Sequence, residues 1–180
     1  MEKIGFIGLG YMGHGMAKNI VEKGYPLTVV GHRNRKPIED VVTRGAKEAL
    51  SIPELARAST IVFLCVTGSK EVEAVILGEN GLAQHLAAGS IIVDTSTSDP
   101  VSTMKLYNEC ATRGLTLVDA PLSRTPKEAW EGTLDTMVGA SDEIFARVKP
   151  VMEKWAGRVI HVGGPGDGHR MKLVNNFLSL

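Results

Sequence analysis

Ile4-Gly5-Phe6-Ile7-Gly8-Leu9-Gly10-Tyr11-Met12-Gly13 is the stretch on which the fold turns. It opens apolar, then sets glycines at the three fixed places of a G-x-G-x-x-G pattern. The pattern alone is a weak signal, and its setting strengthens it. It follows a strand candidate directly, opens a helical stretch over Met12–Lys23, and meets a second strand, Leu27–Val30, at the spacing of one βαβ unit. In such a turn Gly8 allows the tight bend, Gly10 lets a pyrophosphate approach the backbone, and Gly13 lets helix and strand pack closely. Leu9, Tyr11 and Met12 fill out the loop. The helix start then offers free N–H groups and a positive dipole end to an anion.

Beyond this unit the chain keeps alternating. Pro37 opens a helix with Ile38, Val41 and Val42 on its apolar face. Ala46–Ala49 is a short strand. Ser51 is an N-cap with Glu54 three residues on. Ile61–Val66 is a strand buried on both faces by its composition. Ser69–Leu77 and Leu82–Ala88 read as helical, Ser90–Asp94 as a strand, Pro100–Arg113 as a helix and Thr116–Ala120 as a strand. Thr136–Gly139, a helix over Ser141–Trp155, and Val159–Val162 follow. This order predicts an α/β doubly wound, mostly parallel sheet with helices on both faces.

Composition narrows the classes. In 180 residues, 20 Lys+Arg balance 20 Asp+Glu, which argues against a nucleic-acid binder. The longest apolar run, Ile61–Val66, is far short of the ~20 residues that cross a bilayer. No basic-then-apolar leader opens the chain, and Cys65 and Cys110 form neither a disulfide framework nor a metal spacing, so a cytoplasmic protein with reduced thiols is expected. No His/Cys/Asp cluster is spaced for a metal. Gly is the outlier, at 20 residues against a typical ~7%.

The residues after the second strand choose between coenzymes. An Asp or Glu there would hold a ribose 2′-hydroxyl. The sequence instead has Gly31-His32-Arg33-Asn34-Arg35-Lys36, with no carboxylate before Glu39. Guanidinium groups grip phosphate through paired hydrogen bonds. NADP is therefore expected over NAD, with Arg33 the first candidate, then Asn34, Arg35 and His32.

A second constellation lies near the end. Gly163-Gly164-Pro165-Gly166-Asp167-Gly168 is a hinge candidate, and after it Lys172 and Asn176 stand at i and i+4 on one helix face. A Lys and an Asn so placed can hold and protonate a carbonyl oxygen. Asp119-Ala120-Pro121-Leu122-Ser123-Arg124-Thr125-Pro126, Asp94-Thr95-Ser96-Thr97 and Cys65-Val66-Thr67 all end strands at the edge where open parallel sheets bind ligands.

Taken together, Gly5–Gly13 with Met16-Ala17-Lys18-Asn19, the Asp119–Ser123 segment, and Gly166-Asp167-Gly168 with Lys172 and Asn176 resemble the β-hydroxyacid dehydrogenases. This is the family of 3-hydroxyisobutyrate dehydrogenase, tartronate semialdehyde reductase and sulfolactaldehyde reductase. The resemblance implies a Rossmann-type NAD(P)-binding domain. It implies Lys172 as catalytic acid/base and Asn176 as substrate ligand. Ser123 and Thr97 match positions touching substrate or nicotinamide, Val66 and Thr67 match the loop beside the nicotinamide ribose, and Ser96 adjoins it. The implied reaction is reduction of a short-chain aldehyde acid, or its reverse.

Two departures stand out. The family usually has two glycines after the motif serine, and here they are Arg124 and Thr125. Arg124 can clamp a carboxylate or sulfonate, which resembles the sulfolactaldehyde reductase branch. The family also continues into a helical domain. Residues 1–162 are read as the NADP-binding domain and 163–180 as a hinge and the start of a long interdomain helix, cut short. A catalytically silent NADP-binding module is the alternative. Leu173, Phe177 and Leu180 form an apolar stripe, from which a homodimer is expected.

Overall fold

Alternation in the strands sorts the core into two layers. The computed structural model describes residues 1–178, so Leu180 lies outside the described residues. In β4 (Ile61–Leu64) every residue is buried. Ile61 and Phe63 face one layer while Val62 and Leu64 face the other, as period-2 geometry dictates. β5 (Ile91–Asp94) divides the same way, with Ile91 and Val93 against Ile92.

The parallel core has strand order β3-β2-β1-β4-β5-β6, made by β3 (Lys47–Ala49), β2 (Leu27–Val30), β1 (Ile4–Ile7), β4, β5 and β6 (Thr116–Asp119). On one face lie α1 (Gly13–Glu22), α2 (Lys36–Thr43), α6 (Pro126–Glu131) and α7 (Asp142–Met152), which bury Met16, Ile38, Ala129 and Val148 respectively. On the other lie α3 (Ile52–Arg57), α4 (Ser69–Leu77) and α5 (Pro100–Ala111), through Leu55, Val72 and Leu106. This is the expected Rossmann-type architecture.

Phe6 stacks on Phe63 at 6.2 Å, and Phe63 meets Trp155 edge-on at 6.1 Å. Trp155 is fully buried. Trp130, by contrast, is exposed at the end of α6. Its ring meets His14 edge-on at 5.2 Å and lies under Lys18 and Arg44 at 5.0 and 5.4 Å.

Past β6 the sheet changes direction. β7 (Leu122–Ser123) continues the line of β6, and β8 (Leu134–Gly139) returns antiparallel, with Asp119 opposite Gly139 and Leu122 opposite Thr136. β9 (Ala156–Gly163) pairs parallel to β8. β8 meets β6 only at its last residue, and Leu134 and Val138 of β8 with Ala156 of β9 join the core layer that holds α1. α8 (Asp167–Leu178) then begins at the carboxyl edge.

The structure departs from the local sequence pattern in several places. Leu82–Ala88 is no α-helix; a single 3₁₀ turn, Leu82–Gln84, forms between Gly81 and Gly89 and buries Leu82 and Ala83. The strand expected over Ile61–Val66 stops at Leu64, and Cys65 and Val66 turn into the loop beyond it. Helix α6 and strand β7 are additions to the expected elements. Ser51 caps α3 through the Glu54 amide, but the Glu54 carboxylate reaches the Leu50 amide instead of the Ser51 amide.

Candidate active site

The strand order reverses between β1 and β4, and their loops meet there. Gly8 has φ +99°, and a Cβ on it would stand 2.2 Å from the Cys65 carbonyl oxygen. A Cβ on Gly13 would stand 2.0 Å from the Gly8 oxygen and 2.9 Å from the Phe6 ring. These two glycines let α1 start hard against the sheet. Gly10 is different: nothing lies within 4 Å of its Cβ direction. No side chain caps α1, and its first turn holds no acidic residue. The loop backbone therefore faces open space at the positive end of a helix, which fits a pyrophosphate.

That space is a cleft of about 700 Å³. Gly8, Leu9, Gly10, Tyr11 and Met12 line it, with His32 and Asn34 from beyond β2 and Val66 and Thr67 from beyond β4. Ile38, Ile52, Glu71 and Val75 also line it; they are ordinary core or helix positions with no motif to mark them. Cys65 lines the cleft too, and burial pushes its thiol up to about 11. Arg33 and Arg35 lie outside this lining. Arg33 is exposed, with no ion-pair partner among the described residues. Arg35 is turned away to Glu48, at 2.6 and 2.8 Å.

The second group gathers beyond β6. Lys172 is half-buried on α8, and burial draws its ammonium below the ordinary lysine range. Asn176 is exposed one turn on. The Ser123 hydroxyl is buried and has no hydrogen-bond partner among the described residues. Thr97 is exposed at the end of β5. Thr125 serves the fold: its hydroxyl accepts from the Lys127 amide, and with Glu128 it completes a capping box on α6. Arg124 has φ +87°, rare for a side chain of this size. Its Nε donates to Asp135 at 2.9 Å. Asp135 also accepts from Arg158 at 2.8 Å, and Arg158 first, then Arg124, holds its carboxyl below the usual range.

Asp119 fixes where α8 starts. Its Oδ1 accepts from the Gly166 amide and its Oδ2 from the His169 amide, both at 2.8 Å. Burial pushes this carboxyl up, while the two amides and His169 pull it down. His169 is buried; its Nε2 donates to the Ser96 carbonyl at 3.1 Å and its Nδ1 faces the Thr103 hydroxyl at 2.7 Å. The Ser96 hydroxyl in turn accepts from the Val66 amide at 3.0 Å. Ser96 thus sits behind the cleft and joins the Val66 loop to α8. The sequence marked Asp119 as part of a motif but gave no sign that it caps a helix 48 residues further on.

Comparison with known proteins decides the assignment. The sequence profile of the NAD binding domain of 6-phosphogluconate dehydrogenase matches residues 3–163. A 2-(hydroxymethyl)glutarate dehydrogenase of Eubacterium barkeri is 39% identical over 98% of this chain and 58% of its own length. A 3-sulfolactaldehyde reductase of Escherichia coli K12 is 33% identical over 100% of this chain and 60% of its own. The chain belongs to the β-hydroxyacid dehydrogenase family. It corresponds to the family's N-terminal NAD-binding domain and spans about 60% of the length of these relatives. Among solved structures, Psf3 in complex with NADP+ and 2-OPP superposes with a TM-score of 0.89 at 32% identity, covering 96% of this chain and 61% of that one. Among the described residues, no helix is long and apolar enough to cross a membrane.

Proposed function

We propose that this chain is the coenzyme-binding part of an NADP-dependent oxidoreductase that reduces a short-chain aldehyde acid to the hydroxyacid, or runs the reverse. The observation that carries this reading is the uncapped start of α1 behind Gly10, open to the cleft. When bound, the dinucleotide supplies or takes the hydride. The chain's own residues do the rest. The glycine loop binds the pyrophosphate through its amides. Val66 and Thr67 border the nicotinamide ribose. Ser123, whose hydroxyl has no partner among the described residues, orients the substrate together with Asn176 and Thr97. Lys172 donates a proton to the carbonyl oxygen as charge develops there, and its lowered pKa eases that release. Arg33 takes the 2′-phosphate, with His32 and Asn34 beside it.

Residues 1–162 form the coenzyme domain in this reading and 163–180 the hinge and helix leading from it. The exposed apolar side chains of α8, Leu173 and Phe177 among them, suit a homodimer contact. Two free thiols, Cys65 and Cys110, suit the cytoplasm.

One observation favours a substrate with an anionic head group, a carboxylate or a sulfonate. Arg124 stands beside Ser123 with its side chain 45% exposed, leaving its terminal nitrogens open to an anionic head beyond the Asp135 contact. The test is a side-by-side titration of coenzyme emission with NADPH and NADH, followed by turnover with carboxylated and sulfonated semialdehydes. Tighter NADPH binding and turnover of either substrate class support the proposal. Coenzyme binding without turnover supports a silent binding module, and no binding of either coenzyme overturns the reading.

A further inference from the structure

A carboxylate stands beside the cleft on β3, a strand to which the sequence reading gave no part in the site. Glu48 sits on β3, in register with Val29 of β2. It holds both prongs of Arg35, Nη1 to Oε1 at 2.6 Å and Nη2 to Oε2 at 2.8 Å. The pair lies across Gly31, the first residue after β2. A Cβ on Gly31 would stand 2.3 Å from Arg35 Nη1 and 2.7 Å from Glu48 Oε1. Gly31 itself lines the cleft, next to His32 and Asn34. The ion pair is therefore packed on the backbone where a doubly wound sheet meets the adenosine ribose.

This arrangement has an electrostatic consequence. The guanidinium face that grips a phosphate already grips a carboxylate. The pair carries no net charge, and Glu48 repels a phosphate monoester placed beside it. Resting on the reading that the cleft holds a nicotinamide dinucleotide, we propose that Glu48 is a specificity-determining residue. By holding Arg35, it restrains the preference for the 2′-phosphorylated coenzyme and leaves the phosphate to Arg33. The side chains are 49% and 27% exposed, so the restraint is moderate and screened by salt.

The test is a coenzyme titration of wild type, Glu48→Gln, Arg35→Ala and the double variant, each checked for folding by circular dichroism. Glu48→Gln is expected to tighten NADPH binding about five- to tenfold and leave NADH within about twofold. Arg35→Ala alone leaves Glu48 unpaired and lowers NADPH affinity by a comparable factor, and in the double variant the gain of Glu48→Gln is lost and affinity returns to near that of the wild type. Raising salt to about 0.5 M shrinks the gain. Glu48→Ala moves affinity in the same direction as Glu48→Gln. An NADPH affinity unmoved by Glu48→Gln overturns the proposal, as does a gain that survives undiminished in the double variant, since the gain would then owe nothing to Arg35. Failure of the wild type to bind either coenzyme overturns the coenzyme reading itself, a result distinct from unmoved affinities in a chain that binds both.

Discussion

The carboxylate of Asp119 accepts the His169 amide at 2.8 Å, tying the end of β6 to the first turn of α8. Asp119→Ala leaves the Gly166 and His169 amides buried without an acceptor. A loss of about 2–4 kcal/mol in unfolding free energy is expected by urea titration. Asp119→Asn keeps one acceptor oxygen and should lose roughly half of that. Equal stability of wild type and the alanine variant would refute the anchoring role.

Lys172 rides on the helix so anchored. Lys172→Met keeps the stem and removes the proton donor, so turnover should fall about 10²–10⁴-fold while NADPH affinity stays within about twofold. Because burial lowers this ammonium, reduction should fail on the alkaline side at a lower pH than an ordinary lysine near ~10.4 would give. A pH–rate profile reads that limb directly.

Gly13→Ala puts a methyl group 2.0 Å from a backbone oxygen, where nothing flexible can yield. The loop must shift or α1 must move out. A loss of about 1–3 kcal/mol in stability is expected, with coenzyme affinity down at least about tenfold. Thermal unfolding and coenzyme titration check the two effects separately.

At Arg124 two small terms oppose one another. Arg124→Gly relieves a left-handed backbone worth about 1–2 kcal/mol and removes an exposed ion pair worth about 0–1 kcal/mol. Stability should therefore stay level or rise slightly. If the guanidinium clamps the substrate's anionic head, KM rises about tenfold or more with kcat little changed. An unchanged KM for every anionic substrate would remove Arg124 from the site.

The thiols make a pH prediction of definite sign. Burial pushes Cys65 and Cys110 each up to about 11, against about 8.5 for an unfolded cysteine. The folded state holds these protons longer than the unfolded chain. Their contribution to stability is full below about pH 8.5 and is lost as pH rises towards about 11. Between pH 8 and 11, Tm of the wild type should fall more steeply than that of a Cys65→Ala/Cys110→Ala variant.

Periodicity made most of the sheet legible. Ile61–Leu64 and Ile91–Val93 are apolar at every position, as strands covered on both sides must be. The glycine loop was legible because backbone chemistry there is fixed by residue type. Leu122–Ser123 was not, since a two-residue strand leaves no period to read. It forms only by pairing with β8, a contact with another segment of the chain. The same limit hid the site's supporting cast. Asp119 caps a helix far along the chain, Glu48 neutralises Arg35 across a strand boundary, and Thr125 is drawn into a capping box. A local reading of Arg33–Arg35 ranks Arg33 first and keeps Arg35 as a further candidate; the fold ties Arg35 to Glu48.

Trp155 lies sealed beneath Phe63, and Trp130 stands in the open beside His14 near the start of α1. The two indoles therefore divide the optical signal of this molecule. A neutral collisional quencher should extinguish the red-shifted emission of Trp130 and spare the blue-shifted emission of Trp155 until the chain denatures. Occupancy near α1 and integrity of the interior can then be followed in one cuvette, without a label.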